Sequence, residues 1–261
     1  MEPALFDDDL SEPGLISPEH LHRGRSVPST AVVCFFNDLL GDLVVEGVLR
    51  QIYTLRSEIG TNPVYEFRTS GESLTVVHPG VGAPLAAGVV EELRGLGVRT
   101  IVACGGAGAL RSDLDLGRVM VVESALRDEG TSFHYAAPSR VMDADETCRT
   151  VVEEVLRERG VEFLTGRTWT TDGFFRETKS RIARRVDEGC LMVDMESAAL
   201  IAVTRFHGLR FAQLLYAGDL LSGEEWDSRR WDRAMHHRRA LFDLSIQAAL
   251  RLAELPSHDS P

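Results

Sequence analysis

The feature that most constrains the fold is the regular alternation of short apolar stretches with amphipathic ones. The stretch TAVVCFF at 30–36 is apolar throughout, as expected for a strand buried on both faces. Further strands are predicted over 73–78, 98–104, 118–124, 161–171, 191–193 and 209–217. Helices are predicted over 83–96, 145–158, 196–206 and 231–252. This alternation indicates a three-layer α/β/α sandwich with a central mixed, largely parallel β-sheet.

The length and the ends of the chain suggest a single domain. The chain has 261 residues, which is within the range of one α/β domain. Residues 1–28 are rich in acids, Pro and Ser and lack periodicity, so a flexible N-terminal arm is predicted there. No internal repeat or low-complexity linker divides 29–255, which is therefore predicted to be one domain, and 256–261 is a short tail.

Composition and charge narrow the class of ligand. A formal net charge of −12 argues against nucleic acid or an anionic membrane as the main partner and favours a small molecule. The acidic start of the chain does not resemble a secretory signal, and no apolar run is long enough to span a membrane. The four cysteines form no CxxC pair and are expected to be buried thiols in a reducing compartment. A cytoplasmic protein is therefore expected. No metal or cofactor is expected, because no residue cluster has metal-ligand spacing.

Ligands of α/β sheets bind at the carboxyl ends of the strands, so the turns after predicted strands are the candidate sites. Two such turns are rich in glycine, Pro79–Gly82 and Gly105–Ala109. Backbone N–H groups in turns of this kind can approach an anion or a sugar. Neither turn fits the dinucleotide fingerprint and the Walker lysine is missing, so tight-turn architecture explains the glycines equally well.

The junction at Asp194-Met195-Glu196 carries a second candidate site. A carboxylate can accept hydrogen bonds from both the 2′- and 3′-hydroxyls of a ribose, and a Met side chain can pack beneath the ring. An acid at a helix N-terminus also has a simple capping role, but capping does not account for the Met. The sequence therefore suggests that Met195 and Glu196 form a sugar-binding site.

A third candidate, Asp219, follows the last apolar strand. An acid placed there could protonate N7 of a purine as the glycosidic bond breaks. An ordinary Asp has a pKa of about 3.9, so this role requires desolvation. The alternative is that Asp219 caps the final helix.

Taken in order, these motifs resemble the nucleoside phosphorylase family, which includes purine nucleoside phosphorylases, uridine phosphorylases and related nucleosidases. The matching segments are Pro79–Gly82, Val89–Leu93, Gly97–Val102, Gly105–Ala109, Leu116–Val122, Thr171–Phe175, Met195–Ala198 and Gly218–Asp219. The resemblance covers about residues 30 to 250 and implies the fold of that family. It also implies a homo-oligomer, either a dimer or a trimer of dimers, whose sites are completed across subunits.

The resemblance assigns roles to individual residues. Glu196 would bind the ribose hydroxyls, Met195 would pack on the sugar, and Asp219 would be the acid facing the base. The other substrate-binding candidates are Phe174 or Phe175 stacking on the base, Gly105 and Gly106 lining the sugar and nucleophile pocket, and His22 (or His20) and His134 at the rim.

The chain departs from the family where phosphate binds. Phosphorylases carry a Gly-Asp-Pro-x-Arg loop after the first strand, and here that place reads Phe35-Phe36-Asn37-Asp38-Leu39. A family arginine is replaced by Ala103 and the Ser or Thr that follows by Gly106. Phosphate recognition relies on fixed cationic donors, so hydrolysis is favoured. Asp38, or Asp42 in reserve, would then activate water.

Two further departures concern the base and the phosphate. The uracil-binding residues of uridine phosphorylases correspond to Thr178 and Ser180, so a purine-type base is favoured over uracil. The segment Arg176-Glu177-Thr178 could instead contact an unusual base or a 5′ substituent. Arg111 or Arg176 could also reach the cavity from another direction as a phosphate ligand. The predicted function is cleavage of the N-glycosidic bond of a purine-type nucleoside, by hydrolysis. The alternatives are phosphorolysis, with phosphate as co-substrate at a rebuilt site, and a non-catalytic nucleoside-binding or storage protein.

Overall fold

The computed structural model describes residues 4–6, 10–69 and 71–256. The strands of this part of the chain are β1 (Thr30–Cys34), β2 (Leu49–Ser57), β3 (Gly60–Arg68), β4 (Ser73–Val77), β5 (Thr100–Ala109), β6 (Val119–Asp128), β7 (Val141–Asp143), β8 (Phe163–Thr171), β9 (Cys190–Asp194) and β10 (Arg210–Leu220). Its α-helices are α1 (Pro18–Leu21), α2 (Asn37–Val45), α3 (Ala83–Gly95), α4 (Glu146–Glu158), α5 (Lys179–Asp187), α6 (Ser197–Phe206) and α7 (Met235–Ala253).

The strands form a single mixed sheet, as predicted. The path through it is β10-β6-β8-β9-β5-β1-β4-β3-β2, with β7 paired to β6. Strand β1 lies between β4 and β5 and is parallel to both, which buries both of its faces. The antiparallel hairpin β2–β3 extends the sheet at one edge.

One half of the sheet closes on itself. Strand β5 pairs with β1 over its first half, Thr100–Cys104, and with β10 along most of its length. At Gly108 and Ala109 it pairs with β9. Strand β10 also pairs with β6, so β5, β9, β8, β6 and β10 form a ring. The segment Gly105–Ala109, predicted to be a turn, is therefore the end of a strand. Its glycines lack side chains, which lets β5 bend away from β1 and lets neighbouring side chains approach its backbone.

Helices cover both faces of the sheet and complete the three-layer architecture. One apolar core lies between the sheet and the helices α3 and α6. The second core lies on the other face and is closed by α2, α4 and α7. Helix α6 is buried along most of its length, which is why its sequence is apolar on all sides.

Several elements differ from the sequence predictions. Helix α2, the β2–β3 hairpin and helix α5 were not predicted, and the final helix begins at Met235 after a 3-10 turn at Trp231–Arg233. Helix α5 has few apolar residues, so its period is hard to recognise. It is held in part by tertiary ion pairs, from Arg181 and Arg185 to Asp128 on β6.

The predicted N-terminal arm is partly packed against the domain. Helix α1 lies on α3, where Glu19 forms an ion pair with Arg94. Further along, His22 contacts Glu92 at 3.1 Å, and the N–H of Val27 donates to the carbonyl of Leu96. The prediction of a loose arm over 1–28 is thus corrected for the stretch 17–28, because ion pairs and backbone hydrogen bonds fix it to α3.

The four cysteines are all buried free thiols. Over the described ranges, no helix combines the length and the apolar character needed to cross a membrane. The same residues contain no group of three or more His, Cys, Asp or Glu side chains placed to hold a metal ion.

Candidate active site

A cavity of about 860 Å³ opens at the carboxyl ends of the central strands. Its walls come from the segments that end or follow β1, β5, β8, β9 and β10, together with residues at the start of α7. These are the places where ligands of α/β sheets bind. The predicted glycine segment, the sugar-binding pair, the phenylalanine pair and Asp219 all line this one cavity.

Glu196 lies at the N-cap position of α6 and is almost completely buried. Its Oε1 accepts a hydrogen bond of 2.6 Å from the backbone N–H of Gly82, in the turn before α3. Burial, reinforced by the negative charge of Asp194, raises the pKa of Glu196 to about 8. The carboxyl group is thus held in place but poorly solvated, so hydroxyl or cationic groups of a ligand would favour its charged form.

Asp194 performs the capping role that the sequence left open at this junction. One of its oxygens accepts from the backbone N–H groups of Glu196 and Ser197, and the other accepts from the Ser197 hydroxyl. These bonds satisfy free N–H groups at the start of α6. Burial raises the pKa of Asp194, while its hydrogen bonds oppose that shift. Because Asp194 caps the helix, the Glu196 side chain is available to the cavity.

The mouth of the cavity is aromatic. The rings of Phe174 and Phe175 pack together with centroids 4.1 Å apart, and they are 51% and 88% exposed. Both rings line the cavity, as does the half-buried Met195. Exposed apolar rings at a cavity mouth offer a stacking surface for a flat ligand such as a base.

The cavity wall also includes two neighbouring acids, Asp219 and Glu177. Asp219 accepts a hydrogen bond of 2.7 Å from the indole N–H of Trp226. Burial raises the pKa of Glu177 to about 7, the charge of Asp219 adds to this shift, and Arg181 opposes it. The sequence contains no local signal for Glu177 beyond its place in the segment 176–178, because the proximity of Glu177 to Asp219 depends on the tertiary fold.

The wall beside Gly105 differs in character from a phosphate site. A Cβ at Gly105 would lie 3.3 Å from the Phe35 ring, so this ring covers the glycine backbone. Leu39 points into the core below. Ala103 pairs in register with Gln213 of β10, which is buried and lines the cavity. An aromatic ring and a neutral amide thus stand where the sequence resemblance predicts the phosphate ligands of the family.

Arg238 of α7 is a lining residue that sequence reasoning missed. It forms an ion pair with Asp38 and donates to the carbonyl of Trp231 at 3.2 Å. Its guanidinium also lies 5.6 Å from the centre of the Phe36 ring. Nothing near Arg238 in the sequence marks it as a site residue, because it reaches the cavity from the first turn of a long helix at the other end of the chain.

The prediction that Asp38 is a free base is corrected by this contact. One oxygen of Asp38 accepts from the N–H of Leu39 at 2.9 Å and the other is held by Arg238. Asp38 does not line the cavity, and neither does Asp42 on α2. Both oxygens of Asp38 are thus engaged by protein groups, and neither is directed into the cavity.

Four other predicted residues lie outside the cavity wall: His22, His134, Arg111 and Arg176. His22 is buried against Tyr53 and Glu92, and Arg111 pairs with Asp113. His134 and Arg176 are exposed. Within a single chain the structure does not bring these four to the cavity, so rim roles for them stay predictions.

The sheet is mixed and one half of it closes into a ring, and the cavity at the strand ends contains the buried Glu196 carboxylate. These features together define a nucleoside phosphorylase-like α/β protein. The chain belongs to the phosphorylase superfamily, whose family model matches residues 31–250.

Comparison with known proteins gives relatives of the same kind. A guanosine phosphorylase of Halorubrum lacusprofundi is 31% identical over 59% of this chain, and the match spans 65% of that relative, slightly less than two thirds of its length. A uridine phosphorylase of Salmonella typhimurium is 32% identical over 70% of this chain and 77% of its own length. The crystal structure of uridine phosphorylase from Vibrio fischeri has a TM-score of 0.69 and 23% identity, over 89% of this chain and 97% of that one. At 23% identity, the similarity to the Vibrio fischeri structure shows a shared fold.

Proposed function

We propose that this protein cleaves the N-glycosidic bond of a purine-type nucleoside and transfers the sugar to water. The observation that carries the proposal is the charge of the cavity wall. Six acids line it, and both lining cations are already paired: Lys179 with Glu224, and Arg238 with Asp38. The acids to which we assign the sugar and the base line the cavity, whereas no unpaired cation among the described lining residues remains to bind phosphate.

At the sugar end, Glu196 would accept hydrogen bonds from the ribose 2′- and 3′-hydroxyls while Met195 packs on the ring. Cleavage builds positive charge on the sugar as the bond to the base lengthens. A fixed carboxylate in a poorly solvated site stabilises that charge more strongly than it stabilises the neutral substrate. Differential stabilisation of this kind raises the rate of bond cleavage.

At the base end, the pair Glu177 and Asp219 would offset the negative charge that grows on the departing base. Glu177, with its pKa of about 7, holds its proton below neutrality and can release it near neutrality. Asp219 accepts a hydrogen bond from the Trp226 indole, and its charge helps to raise the pKa of Glu177. We propose that the proton passes from this pair to the base as the glycosidic bond breaks.

Water is the favoured acceptor of the sugar because the cavity disfavours an anion. A phosphate dianion near several carboxylates would meet repulsion that no unpaired guanidinium offsets. The Phe35 ring also covers the backbone of Gly105, which an anion would otherwise approach.

The test is a panel of adenosine, guanosine, inosine and uridine, each incubated in phosphate-free buffer and in excess phosphate. Hydrolysis gives free base and ribose at the same rate in both buffers, with purine nucleosides preferred. Ribose 1-phosphate that forms only with phosphate would overturn the proposal. The Glu196→Gln variant, purified in parallel, controls for a contaminating nucleosidase.

Phosphorolysis is the second candidate, because the relatives compared above are phosphorylases by name. It would require Arg238 to leave Asp38 and bind phosphate. The same panel identifies it by its product. Binding of a nucleoside without release of base in either buffer would indicate the non-catalytic alternative.

A further inference from the structure

Gln213 on β10 is a polar side chain that the mechanism above does not use. It is 2% exposed, yet it is one of the residues that line the cavity. Its Oε1 has no hydrogen-bond partner among the described residues. A buried amide oxygen without a donor is costly, so such groups are normally satisfied by a ligand or a water.

The position of Gln213 shows which part of a ligand it would meet. It pairs in register with Ala103 of β5, so the two side chains lie on the same face of the sheet. Ala103 stands where the family resemblance places a phosphate-binding arginine. Two positions further along the strands, on the same face of the sheet, Gly105 and Leu215 also line the cavity. The Gln213 amide thus stands on the nucleophile side of the cavity.

We propose that Gln213 binds and orients the water that attacks the sugar, in place of the arginine that binds phosphate in phosphorylases. This inference rests on the proposed hydrolysis. An amide oxygen that accepts one O–H of a water directs a lone pair of that water away from itself. A neutral amide suits a neutral nucleophile, just as a guanidinium suits phosphate.

The step balances without a further reactant. The bond from the water oxygen to the anomeric carbon forms, and the bond from that carbon to the base nitrogen breaks with its electron pair on the base. The base takes the proton of Glu177. The proton that leaves the attacking water restores, through solvent, the proton that Glu177 gave.

The test is Gln213→Leu, which keeps the size of the side chain and removes its hydrogen bonds. The matched control is Gln247→Leu on α7, because Gln247 also has a buried Oε1 without a partner but does not line the cavity. Both variants are assayed with the fastest nucleoside of the panel, in water and in water–methanol mixtures. Thermal unfolding of both variants shows whether either change alters stability.

We expect kcat of Gln213→Leu to fall about 10- to 100-fold, the range expected for one hydrogen bond to a reacting group, with KM little changed. The ratio of methyl riboside to ribose should rise, because methanol no longer competes with a held water. Gln247→Leu should match the wild type in both. An unchanged kcat and product ratio in Gln213→Leu overturns the water-binding role of Gln213. Formation of ribose 1-phosphate by the wild type overturns instead the proposed hydrolysis on which this role rests.

Discussion

Asp194 and Glu196 lie two residues apart and divide two roles that either acid could have filled. Asp194 caps α6 through the backbone and the Ser197 hydroxyl, and its side chain is fully occupied there. Glu196 contacts Gly82 with one oxygen and is otherwise directed to the cavity. As a result, the Glu196 carboxyl group is buried near the charge of Asp194, and both effects raise the pKa of Glu196 to about 8.

The raised pKa of Glu196 predicts how Glu196→Gln changes stability with pH. The folded protein binds this proton up to about pH 8, whereas the unfolded chain loses it near pH 4.5, so folding stability falls as pH rises between the two values. The variant lacks this loss, and should match the wild type near pH 4.5 and exceed it above pH 8. Urea denaturation at both ends of this range measures the difference. Equal pH slopes for both proteins would contradict the raised pKa.

The same variant should lose most of its activity. Removing a fixed negative charge beside the developing positive sugar is expected to lower kcat/KM by about 100-fold or more. Chromatography of the released base from guanosine measures this loss. Near-normal turnover by a folded Glu196→Gln protein would remove Glu196 from the mechanism.

Glu177→Gln tests the acid of the base end. Because Glu177 holds its proton only below about pH 7, wild-type kcat should fall as pH rises through that value. The variant should lose that dependence and about 10²–10⁴ in rate with purine nucleosides. With 4-nitrophenyl β-D-riboside, whose leaving group needs no proton, it should approach the wild type. Glu225→Gln, which changes another lining acid, is the control. Equal losses with both substrates would show that Glu177 is not the acid.

At the scale of elements, β5 decides the shape of the site. Its glycine-rich end switches partner from β1 to β9 and closes the ring of strands. The close approach is tightest at Gly108, where an added Cβ would clash with the Leu221 side chain and lie 2.9 Å from Val193 Cγ1. Small residues are therefore required here by packing, since they allow the strand end and the Asp219 segment to meet.

Gly108→Ala should accordingly lower the free energy of unfolding by about 1–3 kcal/mol, as overpacking does, and reduce activity by displacing the Asp219 segment. Gly88→Ala on α3 is the matched control, because nothing lies within 4 Å of its added Cβ. That change should stabilise the protein by about 1 kcal/mol through helix propensity. Denaturant titration of both variants provides the comparison, and equal stability of the two would show that β5 tolerates a side chain at this point.

At the scale of the whole molecule, an ion pair joins α2 to α7 through Asp38 and Arg238, two residues that are 200 positions apart in sequence. This ion pair ties the start of α2 to α7 beneath the cavity, and the guanidinium also packs on Phe36 and Trp231. A half-exposed Asp38 limits the strength of the pair through solvent screening. The contact is therefore better explained as a structural link than as an activated base.

Asp38→Asn separates these two explanations. A structural link predicts a loss of about 1–2 kcal/mol in stability, with kcat for the best nucleoside within a few-fold of the wild type. A general base predicts a folded protein with kcat reduced by about 10²-fold or more. Steady-state kinetics beside a urea titration distinguishes the outcomes, and Asp42→Asn, on the same helix but without the ion pair to Arg238, serves as control.

Local patterns carried much of the prediction. The strand at 30–34 and the helix that follows Glu196 were recognisable because apolar periodicity is a property of neighbouring residues. The pair Met195 and Glu196 was recognisable for the same reason, since both of its chemical groups lie side by side in the chain. Helix α5 and the hairpin β2–β3 were not predicted, because charged or half-exposed segments have weak periodicity and are fixed by contacts from elsewhere.

The sequence by itself thus determined the α/β class, the order of the main strands and helices, the membership of a family, and the Met195–Glu196 pair that lines the cavity. Only the tertiary structure decided that Glu177 faces Asp219, that Gln213 stands beside Ala103, and that Asp38 is held by Arg238. Each of these pairs joins residues on different elements. Their proximity depends on how the strands close and the helices pack, and burial then shifts a pKa or leaves an amide unpaired in a way that no local pattern records.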